Sequence, residues 1–438
     1  MAEPLPTDNL NLEALGQEMY SLIEELYPIC RSITGDGFRE TLRRLQRLIP
    51  LTVHEVPSGT QVFDWTVPKE WNIRDAYVKD PRGNKVIDFT LSNLHVVNYS
   101  VPIRRRMPLA ELKKHLFTLP DHPDWIPYRT SYYKETWGFC LSHRQFLELS
   151  DGEYDVCIDA SLEPGHLTYG EYYLAGESAD EVLFSCHACH PSLCNDNLSG
   201  VALVTFLARH LAFRPNRYSH RFLFIPGTIG SLVWLSKNEP CLSKIRHGLV
   251  AACVGDKGQL TYKKSRQGNA EIDQAVGHVL RHSGADYQTL EFSPYGYDER
   301  QYCSPGFNLP VGCFSRTPHG RFPEYHTSAD DLSLVSPVAL ADSLSKCLAV
   351  VHVLDGNRTY LSRNPKGEPQ LGRRGLYRLM GGRADSGLEE MAVLWVLNLS
   401  DGTHSLLDIA ERSGLAFDSV KTAAEVLIAH NLLNEAGL

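Results

Sequence analysis

FSCHACHPSLCNDNLSG, residues 184–200, joins an apolar run to a small-residue helix start. EVLFSC before it reads as a strand, and SGVALVTFLARHLA after it reads as a helix. The loop between them packs His187, Cys189, His190, Cys194 and Asp196 into ten residues. Imidazole and carboxylate are the ligands zinc takes when it keeps an open position for catalysis. A His together with Asp196 is therefore expected to bind metal, with His187 and His190 both open as the imidazole donor. Cys189 and Cys194 are thiols, but no second Cys pair completes a closed structural site, so both read as packing residues.

Downstream, the alternation continues. HRFLFIP, GLVAACVG and LPVGCF read as strands, and IGSLVWLSK, EIDQAVGHVLRHSG and SPVALADSLSKCLAVVHVLD as helices. Strand–helix alternation predicts an α/β sheet with helices on both faces. Its site is expected in the loops at the strands' carboxyl ends. Those loops add candidates. CVGDKG offers Asp256 as a ligand. YGYDERQYCSPG offers the adjacent carboxylates Asp298 and Glu299, with Glu299 favoured as a general base, and Glu324 is a further candidate base. RFPEYHTSADDL offers His326 as the last ligand, Asp330 or Asp331 as its hydrogen-bond partner, and Tyr325 beside it as a substrate contact. Arg31, Arg39 and Arg300 are guanidinium candidates for a carboxylate or phosphate on the substrate.

Upstream, residues 11–50 read as helices interrupted at CRSITGDGFRETL. Residues 52 to about 155 carry short β-rich runs cut by Pro, Gly and Asn, and hold Trp65, Trp71, Trp125 and Trp137. They read as a small β module. Residues 358–386 (NPKGEPQLGRRG, MGGRADSG) read as a linker, and the helical tail 387–438 as a winged helix. That tail sets Arg412 and Lys421 against eight carboxylates, so it lacks the basic face of a DNA reader and reads as a packing or dimer surface.

The bulk numbers agree. A chain of 438 residues with 43% hydrophobic and 22% charged residues is expected to be soluble and multidomain. A net charge of -9 gives no general affinity for nucleic acid or anionic membrane. The start MAEPLPTDNLNLEALGQEMY does not read as a secretory signal, and no stretch of about 18 apolar residues is apparent, so no membrane span is expected. Eleven scattered cysteines fit a reducing cytoplasm better than a disulfide scaffold.

The order of motifs resembles the co-catalytic zinc aminopeptidases. It runs His, Asp-x-x-Ser-Gly, an Asp at a strand end, then Tyr-His-Thr with an Asp soon after. The resemblance implies Asp196 as a carboxylate bridging two zinc ions, with His187, Asp256 and His326 as further ligands and His190 as a competitor of His187. CRSITGDGFRETL, CHPSLCNDNLSG, PGTIGS, YGYDERQYCSPGFNLPVG and PEYHTSADD look closer to a bacterial aminopeptidase-like branch with an inserted domain of unknown function and a C-terminal winged helix. What this implies is a zinc-exopeptidase (phosphorylase/hydrolase-like) mixed sheet with helices on both faces, over 1–60 and 156–357, with the β-rich insertion at 61–155. One departure matters. Where the aminopeptidases carry a Glu-Glu pair, base and ligand, this chain has Gly227 and Thr228 in IPGTIGS. One or two zinc ions are therefore expected. The leading reading is a zinc-dependent hydrolase of a small peptide-like or amide substrate. The competing readings are an amide-forming or acyl-transfer enzyme, where Cys189, Cys194 or Cys303 gains relevance, and an inactive binding protein.

Overall fold

The computed structural model describes residues 10–376 and 390–436. They group into two compact units. The first comprises Asn11–Gly268 and Asp286–Leu344; the second is built from Asn269–Ala285 and the described residues from Ser345 onward.

The centre of the first unit is an eight-stranded mixed sheet. Its order is Thr52–Pro57, His166–Leu174, Ser219–Ile225, Glu181–His187, Ile245–Ala251, Val311–Ser315, Leu260–Lys263 and Tyr287–Leu290. The four middle strands run parallel, with Phe184 opposite both Phe222 and Leu249. The Thr52–Pro57 and His166–Leu174 pair adds antiparallel strands at one edge, and Leu260–Lys263 is antiparallel to Val311–Ser315 near the other. Every residue of Glu181–His187 is buried. That two-sided burial is why the strand reads as a continuous apolar run rather than an alternation. The helix Ser199–Leu211 is buried over most of its length, as its apolar sequence requires. Burying each large apolar side chain of this layer contributes roughly 1.5–3 kcal/mol.

The inserted module is a four-stranded antiparallel sheet, ordered Lys85–Asp88, Glu70–Lys79, Glu153–Glu163, Ile103–Pro108. Its edge lies beyond the expected 155. Glu153–Glu163 pairs along its length, to Glu70 opposite Glu163, so residue 155 falls inside a strand. Trp71 is buried here and its indole N–H donates to the Ser100 carbonyl at 2.8 Å.

The second unit includes the helices Glu271–Arg281, Glu390–Leu399, Leu406–Ser413 and Phe417–Ala429, with a three-stranded sheet ordered Asp401–Ser405, Thr359–Ser362, Leu433–Glu435. Thr359–Ser362 corrects the linker reading of 358–386. The short run TYLS pairs Thr359 with Ser405 and Tyr360 with Glu435, and so belongs to the winged helix. Residues 377–389, the end of that linker and the start of the tail, lie outside the described residues.

A second correction concerns apolar length. The helix Pro337–Gly356 has an 18-residue window of mean hydropathy 1.5, long and apolar enough to cross a membrane by length and composition. With 67% of that window buried, it fits a core helix.

Candidate active site

His187 is the last residue of its strand, so its ring projects from the carboxyl end of the sheet. Asp196 lies nine residues on, just before the helix Ser199–Leu211. Its neighbours hold the loop. Asn195 donates to Asp256 Oδ2 at 2.9 Å, and Asn197 donates to the Ala251 carbonyl at 3.0 Å. Asp330 accepts from the backbone N–H groups of Asn195 and Asp196 at 2.6 and 2.9 Å. With both neighbours tied back, the Asp196 carboxylate is left to face the histidines.

His187 Nε2 lies 2.8 Å from Asp196 Oδ1, and His326 Nε2 lies 3.0 Å from Oδ2. His190 Nε2 is 3.8 Å from Oδ2. Ligand atoms of His187, His190 and Asp196 all lie within 4.8 Å of one another. Ligand bonds to zinc are about 2.0–2.2 Å long, so one ion can be reached by all three. The donor set, imidazoles and a carboxylate with no thiolate, suits zinc in an open, catalytic arrangement. Asp196 is fully buried, His187 2% exposed and His326 35% exposed, so solvent reaches the cluster from the His326 side.

Electrostatics prepare the groups for a cation. Burial opposes charge on Asp196, but His190, His187 and His326 together hold its carboxyl well below the usual range. Burial, helped by the neighbouring charges of His187, His326 and Arg31, pushes His190 down to about 3, leaving a neutral imidazole ready to ligate. For His187 burial works against the charged ring, and Asp196 more than offsets it, so the net shift is upward.

Gly227 stands beside this cluster. A Cβ there would lie 2.9 Å from His187 Cβ and 3.4 Å from Asp298 Oδ2. The side chain missing at 227 thus leaves room that the Asp298 carboxylate approaches from another loop. Asp298 is fully buried, accepts from Ser231 Oγ at 2.9 Å on Oδ1, and has no partner on Oδ2 among the described residues. Burial pushes its carboxyl up to about 6, while His187, Ser231 and Arg300 pull the other way.

The structure redistributes several candidates. Glu299 is not the free base: its Oε1 takes the Lys263 ammonium at 2.5 Å, which neutralises it in a side cavity. Asp256 is not in the cluster. Its oxygens are taken by Asn195, by Gly258 N–H at 2.6 Å and by Thr317 Oγ1 at 2.7 Å, so it clamps the loops. Arg31 is fully buried and donates to the carbonyls of His190 and Leu26 at 2.8 and 2.7 Å, which fixes the His190 loop and turns the guanidinium away from a substrate role. Arg39 is held by Glu55 and Glu70, away from the cluster. Glu324 contributes its carbonyl to Thr327, and among the described residues no contact joins its carboxylate to the cluster. Arg300 is half-buried, on the same turn as Asp298. Tyr325 stacks on His326 with ring centroids 4.0 Å apart. Cys189, Cys194 and Cys303 are buried, and burial pushes Cys189 up to about 12 and Cys194 further, which removes nucleophilic thiolate.

Residues without a local signal complete the site. Tyr128, from the inserted module, lies 5.1 Å from both His190 and His326, and its N–H donates to the His326 carbonyl at 2.7 Å. Tyr297 stacks on His187 at 4.9 Å, and Cys253, two residues beyond the strand Ile245–Ala251, lies 3.1 Å from its hydroxyl.

The chain is similar to known proteins to different depths. A family model described as a domain of unknown function (DUF4910) matches residues 20–357, and one described as winged helix-turn-helix matches residues 358–435. The chain is 56% identical over 423 residues to a Clostridium acetobutylicum protein with the provisional name "polysaccharide biosynthesis protein with aminopeptidase-like domain", with 97% of each covered. A crystal structure from the same organism, provisionally called a peptidase, shares 54% identity over 97% of each chain at a TM-score of 0.92. A zinc aminopeptidase from Bacillus subtilis is 14% identical, covers 77% of this chain and 94% of its own, and superposes at a TM-score of 0.56. At that identity the likeness is one of fold.

Proposed function

Because the chain belongs to the DUF4910 family over residues 20–357 and carries the fold of zinc aminopeptidases, we propose that it is a zinc-dependent hydrolase that cleaves an amide bond of a small substrate. One observation carries this reading. A fully buried carboxylate, Asp196, meets His187 on one oxygen and His326 on the other, with His190 beside them. A binding protein has no need to bury that ligand set, whose desolvation a cation offsets.

His187, His190 and Asp196 would hold the metal, with His326 as the fourth candidate. When bound, zinc polarises a carbonyl and lowers the pKa of water towards about 7. One ion rather than two fits the chain, because Gly227 and Thr228 offer no carboxylate for a second. Asp298 takes the base's role. Its unpartnered oxygen lies in the space beside Gly227 and His187, and the raised pKa suits proton exchange near neutrality. Tyr325, stacked on the more exposed His326, faces the side from which substrate arrives.

A second reading is an amide-forming or acyl-transfer step on the same scaffold. It is supported by the replaced Glu pair and by the relative named for polysaccharide biosynthesis. A cytoplasmic setting accords with eleven free cysteines.

The test uses zinc-loaded protein and a panel of small amides, with and without an amine acceptor. Asp298→Asn is expected to lower turnover by at least about 100-fold while zinc content stays unchanged. Unchanged turnover removes Asp298 from the role. Product that forms only with the acceptor present favours the second reading.

A further inference from the structure

A cavity of about 310 Å³ adjoins the site, at the small end of ligand pockets. Tyr297 is in its wall and also stacks on His187, so cavity and histidine cluster are neighbours. Its lining includes Thr261, Lys263, Tyr295, Glu299 and His319. Two residues of this wall each carry a buried polar atom that has no partner among the described residues: Glu299 Oε2 and Thr261 Oγ1. Both residues are at most 1% exposed. Native proteins leave few such atoms unpaired, and each costs free energy until a partner arrives.

The charge balance narrows the partner. Lys263 spends its donors on Glu299 Oε1 at 2.5 Å, the Tyr295 carbonyl at 3.0 Å and the Ser293 carbonyl at 3.3 Å. Gly296 lets the loop close over this pair. A Cβ there would fall 2.0 Å from Glu299 Oε1 and 2.5 Å from Lys263 Nζ. The ion pair is therefore internally neutral, and what remains is an acceptor and a hydroxyl. An anion would meet the second carboxylate oxygen, and a cation would compete with Lys263. A neutral donor fits both vacant positions. The rings of Tyr295, Tyr297 and His319 add flat apolar faces with polar edges.

We propose that this cavity is a substrate subsite for an uncharged, hydroxyl-bearing ring such as a sugar, held by Glu299 and Thr261 against Tyr295. The proposal rests on the reading of the adjoining histidine cluster as the reaction centre, and it gives that centre's amide substrate a polyol portion.

The experiment is ligand-observed saturation-transfer NMR with the full chain and three probes: methyl α-D-glucopyranoside, n-butylammonium and benzene. The glucoside is expected to bind, and Thr261→Val and Glu299→Gln each to weaken it, Glu299→Gln by at least about tenfold. Tyr295 is 70% exposed, so Tyr295→Ala keeps the fold and serves as the variant free of folding effects; it is expected to weaken the glucoside as well. Glucoside binding that no variant alters overturns the proposal, because the contact is then elsewhere. No glucoside binding, or binding of n-butylammonium or benzene in its place, also overturns it. Asp196→Ala separates the two readings. It is expected to lose zinc and keep the glucoside, so a failed metal site and a failed sugar pocket give different results.

Discussion

Asp330 is the test of how the loop that carries Asp196 is held. Its carboxylate accepts from two buried backbone N–H groups, Asn195 at 2.6 Å and Asp196 at 2.9 Å. Removing an acceptor from a buried N–H costs about 1–3 kcal/mol. Asp330→Ala strips both and is expected to cost about 2–6 kcal/mol on that basis. Asp330→Asn keeps one acceptor oxygen and is expected to cost about 1–3 kcal/mol. The neighbour supplies the control. The Asp331 carboxylate accepts from Ser333, in an exposed turn, so Asp331→Asn is expected to stay within about 0.5 kcal/mol. The assay is urea denaturation followed by tryptophan fluorescence, where the midpoint moves and the slope does not. Zinc affinity should fall in the same order, because the Asp196 peptide is what Asp330 fixes. If Asp330→Ala matches wild type in midpoint and in zinc affinity, the loop is held by something else and the reasoning fails.

Two further substitutions probe the surroundings. Gly227→Ala places a methyl 2.9 Å from His187 Cβ, and is expected to cost about 1–3 kcal/mol and weaken zinc in a chelator competition; a neutral result would mean that the space is not needed. Lys263→Met leaves Glu299 as an unpaired buried charge, at about 3–5 kcal/mol, and Lys263→Met with Glu299→Gln should recover most of it. A double variant no more stable than the single one, by thermal melting, would contradict the pairing.

The sheet was legible where burial is two-sided. EVLFSC, HRFLFIP and GLVAAC read as strands because helices cover both faces and demand apolar residues throughout. LTYK and YQTL, the strands Leu260–Lys263 and Tyr287–Leu290, carried no such signal, being short, mixed in polarity and at the sheet's edge. In the site, His187 and Asp196 were legible because a strand end followed by a helix start fixes where their side chains go. Asp298 against Glu299 was not. Adjacent positions at a helix start point about 100° apart, and only the positions of Ser231 and Lys263, distant in sequence, decide which carboxylate faces His187. Asp256 misled for the same reason: Thr317, contributed by another strand's end, captures it. Tyr128 reaches His326 through the inserted module's packing, which no local pattern announces.

Zinc per chain, by elemental analysis of the full-length protein and of Asp196→Ala, tests the central claim most directly. The account predicts about one zinc per wild-type chain, lost in Asp196→Ala, since that carboxylate sits between His187 and His326. A wild-type chain that takes up no zinc after incubation with it, or an Asp196→Ala chain that keeps it, would contradict the account.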